Sequence, residues 1–165
     1  MIYFTSDWHY GHKNIIQYCN RPFSSVEEMN QVLLDNHNKI VDNNDDVWFI
    51  GDLAFGKHNV IDVLNKMNGR IHFIFGGHDA KYSNIIKKHY KVEYFGNIET
   101  IKYNKQLIVL CHYALRTWQQ QKYGAWHLFG HSHGTLQPYG LSLDIGVDCN
   151  KYKPVSFKEI KEILK

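Results

Sequence analysis

The stretch "RIHFIFGGHDAKYS", residues 70–83, carries the pattern on which the fold turns. An apolar run from Ile71 to Phe75 stops at two glycines, and His78 and Asp79 follow at once. A short apolar run closed by glycine reads as a buried strand. The segment "KYSNIIKKHY" (81–90) behind it reads as helical.

The same alternation runs outward from there. "IYFT" (2–5) and "DVWFIG" (46–51) are strands upstream; "HKNIIQYC" (12–19), "SVEEMNQVLLDNHNKIV" (25–41) and "NVIDVLNKM" (59–67) read as helices. Ser24 or Ser25 is the expected N-cap of the second helix, with Glu27 or Glu28 to complete a capping box. Gly69 is the expected stop after the third. Downstream the period changes. "VEYFGNIETIKYNKQLIVLCH" (92–112) reads as strands joined by tight turns, with Asn104-Lys105 the hairpin. "WHLFGH" (126–131) and "LSLDIGVD" (141–148) are further strands, and "SFKEIKEILK" (156–165) is a closing amphipathic helix. A βαβαβ half followed by a strand-rich half predicts an α/β fold with stacked sheets and helices outside. With no repeat and no linker, residues 1–165 are assigned to a single domain.

Composition narrows the function classes. With 44% hydrophobic and 21% charged residues, the chain has an ordinary globular composition. A net charge of +3 with scattered basic residues argues against stable duplex nucleic-acid binding and leaves a phosphate-bearing small substrate open. No apolar run approaches a membrane span, and the N-terminus enters a strand without a signal-like region. Cys19, Cys111 and Cys149 are odd in number and show no CxxC spacing, which suits three buried or semi-buried thiols in a reducing compartment. The expectation is a cytoplasmic protein with no membrane partner.

Chemistry gathers where the apolar runs stop. They end on Asp7 and His9, on Asp52, on His78 and Asp79, on His112, and on His131 and His133. Ligands of open α/β sheets bind beyond the carboxyl ends of strands, so these ends can share one cleft. Carboxylate with imidazole and no thiolate suits Mn, Fe, Zn, Ni or Co. Asp52 has two oxygens and can bridge two ions, and a two-metal site suits displacement at phosphorus. Each pair alone is weak; the series is the signal. His37, His58, His72, His89 and His127 read as solvated or packed, and Trp8 as pointing into the core.

The series "DWH", "GD", "GGHD", "CH", "GHSHG" resembles the motif set of the calcineurin-like metallophosphoesterases. The resemblance implies a four-layer αββα sandwich of two mixed β-sheets flanked by helices. It implies two divalent metal ions, one held by Asp7, His9, Asp52 and His133 and the other by Asp52, His112 and His131. It also implies hydrolysis by a metal-bound hydroxide, with His78 protonating the leaving oxygen and Asp79 orienting His78. The expected substrate is a small phosphodiester, of a nucleotide or cyclic nucleotide, with monoesters open. His12 at the expected N-terminus of the first helix, Arg21 before Pro22, and Tyr113 beside His112 are candidate substrate contacts; the alternative for His12 or Asn14 is a helix cap, and for Arg21 a solvated side chain.

One position departs from the family pattern. Gly77 stands where that family has an asparagine whose amide oxygen binds the second metal. The departure is read as a weakened second site, as an introduced change that traps substrate, or as loss of catalysis in a non-catalytic scaffold that retains the fold.

Overall fold

Strand β1 (Ile2–Thr5) alternates its side chains between two cores, and that alternation sets the layers. Ile2 and Phe4 face one apolar cluster and Tyr3 the other. Strands β2 (Asp46–Ile50) and β3 (Arg70–Ile74) repeat the arrangement: Val47, Phe49, Ile71 and Phe73 face outward to the helices, while Trp48, Ile50 and Ile74 face inward. A parallel strand buried on both faces needs apolar side chains on both, which explains the unbroken apolar runs.

The computed structural model describes residues 1–164. Helices α1 (Ile15–Tyr18), α2 (Val26–Ile40), α3 (Lys57–Lys66) and α4 (Ser83–Lys88) alternate with the first strands. β4 (Val92–Gly96) follows α4, and β5 (Ile98–Tyr103), β6 (Gln106–Cys111), β7 (Trp126–Phe129) and β8 (Ser142–Asp144) come next. β9 (Val155–Ser156) and α5 (Phe157–Ile163) close the described chain; Lys165, in the expected last helix, lies outside the described residues.

The strands form two mixed sheets. The first has the order β4-β3-β2-β1-β9, parallel except for β9; the second has the order β5-β6-β7-β8, with β5 antiparallel to β6. Their inner faces share one core of Phe4, Trp48, Ile50, Ile108, Leu110, Trp126 and Leu128, which Phe157 and Ile160 of α5 complete. α2 and α3 cover the outside of the first sheet with Met29, Leu33, Val60, Val63 and Leu64. The expected sandwich is present, with a thin layer over the second sheet: Leu115, Trp118 and Ala125, from the segment after β6, pack on Leu107 and Val109.

Local signals explain the boundaries. Ser25 caps α2 by accepting the Glu28 N–H, while Glu28 turns to Ser24 instead of closing the box; the reciprocal capping box occurs at α5, between Ser156 and Glu159. Asn104 and Lys105 both have positive φ, 46° and 68°, as a two-residue hairpin turn of this hand requires. Two expectations need correction. The first helix shrinks to four residues; Asn14 stands at its N-cap position but makes no side-chain capping bond, His12 is not the cap, and no long helix presents its N-terminus to the site. The stretch 141–148 is strand only to Asp144; Val147–Cys149 is a 3₁₀ turn, and Cys149 is exposed, unlike the buried thiol expected. No helix among the described residues is long and apolar enough to cross a membrane.

Candidate metal centre

The chain breaks sharply at the end of each strand that reaches the centre. Asp7, His9, Asp52, His131 and His133 have φ of 57°, 49°, 58°, 65° and 48°, the left-handed region that L side chains avoid. Asp and His tolerate it better than most residues, at about 1–2 kcal/mol each. Five such residues from three strand ends mark a site whose geometry is held by the surrounding structure. Glycines make the close approach possible: a Cβ at Gly76 would stand 2.3 Å from Asp52 Oδ1, and one at Gly130 would stand 2.3 Å from Asp7 Oδ2. The glycine before Asp52 is thus more than turn chemistry. Gly51 has φ +85°, and its Cβ would meet His112 Nδ1 at 2.4 Å.

Asp52 Oδ2 is the hub. It lies 3.5 Å from His112 Nε2, 3.7 Å from His9 Nε2 and 3.9 Å from His78 Nε2. His9 Nε2 is also 4.0 Å from Asp7 Oδ1. Ligand atoms each about 2.1 Å from one ion lie about 3–4 Å apart, so these spacings suit shared cations. Two groups, Asp7–His9–His133 and Asp52–His112–His131, each bring three donor atoms within 4.8 Å of one another; His9–Asp52–His78 forms a third. Asp7 Oδ1, His9 Nε2 and His112 Nε2 are buried without a hydrogen-bond partner. Such atoms are costly unless something else binds them. Asp7 and His112 are held at their other ends, as is His133. Asp7 Oδ2 accepts from Ser6 Oγ at 2.6 Å and from the His131 N–H at 2.9 Å. His112 Nδ1 lies 2.8 Å from the Ile50 carbonyl, and His133 Nδ1 lies 2.7 Å from Asp148 Oδ2. A histidine that donates Nδ1–H outward leaves Nε2 as a lone-pair donor toward the centre. The residues fit divalent cations.

The electrostatics agree. Burial pushes Asp7 up to about 6 and His9 down to about 3, despite the neighbouring Asp52 carboxylate. Burial alone would raise Asp52 and lower His112. The close approach of the two groups, 3.5 Å apart, prevails, holding Asp52 well below the usual carboxylate range and His112 up at about 9. A divalent cation and the His112 proton compete for the same carboxylate oxygens.

Two expected residues stand differently. Arg21 is not a substrate contact. Its guanidinium is buried, bonds Asp148 through Nε and Nη2 at 2.8 Å each, and donates to the carbonyls of Trp8 and Asp7 at 2.8 and 2.7 Å. Asp79 does not orient His78. Its fully buried carboxylate accepts the N–H groups of Asp52 (2.7 Å), Leu53 (3.0 Å) and Gly76 (2.8 Å), tying the β2 and β3 ends together. His78 instead stands over Asp52, its backbone N–H donating to Asp52 Oδ1 at 3.0 Å. Tyr113 is half-exposed, with its ring centroid 4.8 Å from that of His131 and 4.9 Å from that of His112. His12 stacks on Phe55 and lines a cleft of about 610 Å³ with His9, His78, His131 and His133.

The residue that sequence reasoning missed is Asp148. It joins His133 to Arg21 from the 3₁₀ turn after β8; burial would raise its carboxyl, but the hydrogen bonds from His133 and Arg21 hold it below the ordinary range. Two further histidines are structural. His127 Nε2 accepts the Leu115 N–H while its Nδ1 meets the Val109 carbonyl, and His37 is buried against Trp8.

No family model matches the sequence. The uncharacterized protein MJ1445 of Methanocaldococcus jannaschii is 35% identical to this chain over 174 residues, covering 99% of this chain and 90% of that protein. Among solved structures, the protein of unknown function AQ665 from Aquifex aeolicus superposes with a TM-score of 0.74 at 23% identity, covering 99% of this chain and 98% of its own. An archaeal phosphodiesterase superposes with a TM-score of 0.50 at 14% identity, over 88% of this chain and 81% of its own. These two likenesses are of fold.

Proposed function

The chain belongs to the family of the Methanocaldococcus jannaschii protein MJ1445, and for it we propose the function of a metal-dependent phosphoesterase acting on phosphodiesters. The observation that carries the reading is Asp52 Oδ2, with three imidazole nitrogens within 3.9 Å and unpartnered buried donors around it. Asp7, His9, Asp52 and His133 would hold one cation, and Asp52, His112 and His131 the other. Mn, Fe, Zn and Ni suit such donors. When bound, the ions supply Lewis-acid charge at the phosphoryl oxygens and a water acidified to serve as nucleophile.

The chain's own residues do the rest. His78, with 45% of its side chain exposed beside Asp52, faces the space a phosphate would fill and delivers a proton to the leaving oxygen. His12 is held neutral by burial and offers a hydrogen bond from the cleft wall. Asp79 fixes the loops that carry Asp52 and His78, and Asp148 fixes the tautomer of His133. Substrates are small phosphate esters of nucleotides, diesters before monoesters.

The test is hydrolysis of bis-p-nitrophenyl phosphate with added Mn²⁺ by the wild-type chain and by His112→Ala. Turnover that needs Mn²⁺ and falls by at least a hundredfold in the variant is expected. An inert wild-type protein with full metal content would favour the non-catalytic scaffold, the reading that Gly77 alone supports.

A further inference from the structure

Beside the centre lies a second cleft, of about 860 Å³, which meets the ligand cluster at Gly76 and Tyr113. Its walls come from the ends of β3 and β4 and from α4: Phe75, Phe95 and Lys87, with Asn97 and Ser83 at its polar edge. The ring centroids of Phe75 and Phe95 are 6.4 Å apart. The Lys87 ammonium stands 5.5 Å from the first centroid and 5.2 Å from the second. Phe95 keeps 45% of its surface in water.

Gly77 follows Gly76 of the cleft wall and precedes His78. A Cβ there would have one neighbour within 4 Å, the Tyr113 hydroxyl at 3.1 Å, and its φ lies outside the left-handed region. The backbone therefore does not require glycine at 77, unlike at Gly51. A side chain at 77 would start beside Tyr113, which lines the aromatic cleft and stands against His112 and His131.

We infer that this cleft is the subsite for the base of a nucleoside phosphate ester, stacked on Phe95 with its phosphate at the metal-ligand cluster. The inference rests on the phosphoesterase reading above and names its substrate class. Three features select this occupant. The exposed aromatic face offers stacking, which tolerates any base. The lysine complements the negative charge of the ester. The volume falls within the range of small-molecule sites, and the cleft's Gly76 and Tyr113 adjoin Asp52 and His131 of the ligand cluster.

The experiment is calorimetric titration of the Mn²⁺-loaded protein with inorganic phosphate and with AMP, so that the readout is affinity rather than turnover. The wild-type chain should bind AMP at least roughly tenfold more tightly than phosphate, the scale of one base stacked on an aromatic side chain. Phe95→Ala should bring that ratio to near one, and Lys87→Met should reduce it severalfold. Tyr123→Ala, an exposed change outside the cleft, should leave the ratio in place. Equal affinity for AMP and phosphate in the wild type, or a ratio untouched by Phe95→Ala, overturns the subsite while leaving the phosphoesterase reading intact. If neither ligand binds, that reading fails and the subsite falls with it.

Discussion

Asp79 accepts the backbone N–H of Asp52 at 2.7 Å, so the carboxylate next to His78 in sequence serves the scaffold of the metal-ligand cluster. Asp79→Ala would leave the N–H groups of Asp52, Leu53 and Gly76 buried and unpaired. At about 1–3 kcal/mol each, the loss is on the order of 3 kcal/mol or more, which for a chain of this size lowers Tm on the order of 10 °C. A general-acid orienter would behave otherwise, leaving Tm in place and shifting the alkaline limb of the kcat profile, where a general acid loses its proton. Thermal melting with a pH–rate profile separates the two.

Asp148 should act on metal affinity through His133. Asp148→Asn weakens the grip on His133 Nδ1–H and unpairs a buried guanidinium, and changes of that kind cost about 10–100-fold in metal affinity. Mn²⁺ titration of the variant checks this. Unchanged affinity would mean that His133 needs no fixed tautomer, and so is not a ligand.

Much of the centre could be read from the ends of the apolar runs, because a strand end fixes where the next side chain goes. Asp7, His9, Asp52, His78, His112, His131 and His133 all come together for that reason. Arg21, Asp79 and Asp148 were not legible, and each for a physical cause. Arg21 and Asp148 are 127 residues apart, and nothing local tells a lone arginine before proline that its partner is a buried carboxylate. Asp79 follows His78 directly, but neighbours on a tight turn diverge, and this one turns back to three amides. The shortness of α1 lies at its start, where residues 12–14 are not helical; Asn20 at φ 49° and Pro22 stand beyond its expected end.

His37 should set part of the acid stability. Burial holds its folded pKa at about 4 against an unfolded value of about 6.5. As pH falls, the unfolded chain takes the proton first, so this contribution is complete above about pH 6.5 and is lost as pH falls toward 4. The full swing is about 3 kcal/mol. Burial of Asp7 and Asp79 works in the opposite direction, so the comparison is with a variant. His37→Leu should flatten the decline between pH 6.5 and 4 in urea melts. An identical slope in both proteins would show that His37 is not the group responsible.

Gly77→Asn should be well tolerated, because the Tyr113 hydroxyl has only a few tenths of an ångström to give. Its amide oxygen adds a donor beside Asp52, His112 and His131. The weaker of two Mn²⁺ affinities should tighten by roughly tenfold, about 1.4 kcal/mol. An unchanged metal titration would remove position 77 from the ligand shell.

The most direct measurement counts Mn²⁺ bound per chain in the wild-type protein and in Asp52→Ala, with phosphodiester hydrolysis followed in the same samples. Asp52 stands between both donor groups. The account predicts two ions and metal-dependent turnover in the wild type, and in the variant loss of metal together with loss of turnover. Full metal content and near wild-type turnover in Asp52→Ala would contradict it.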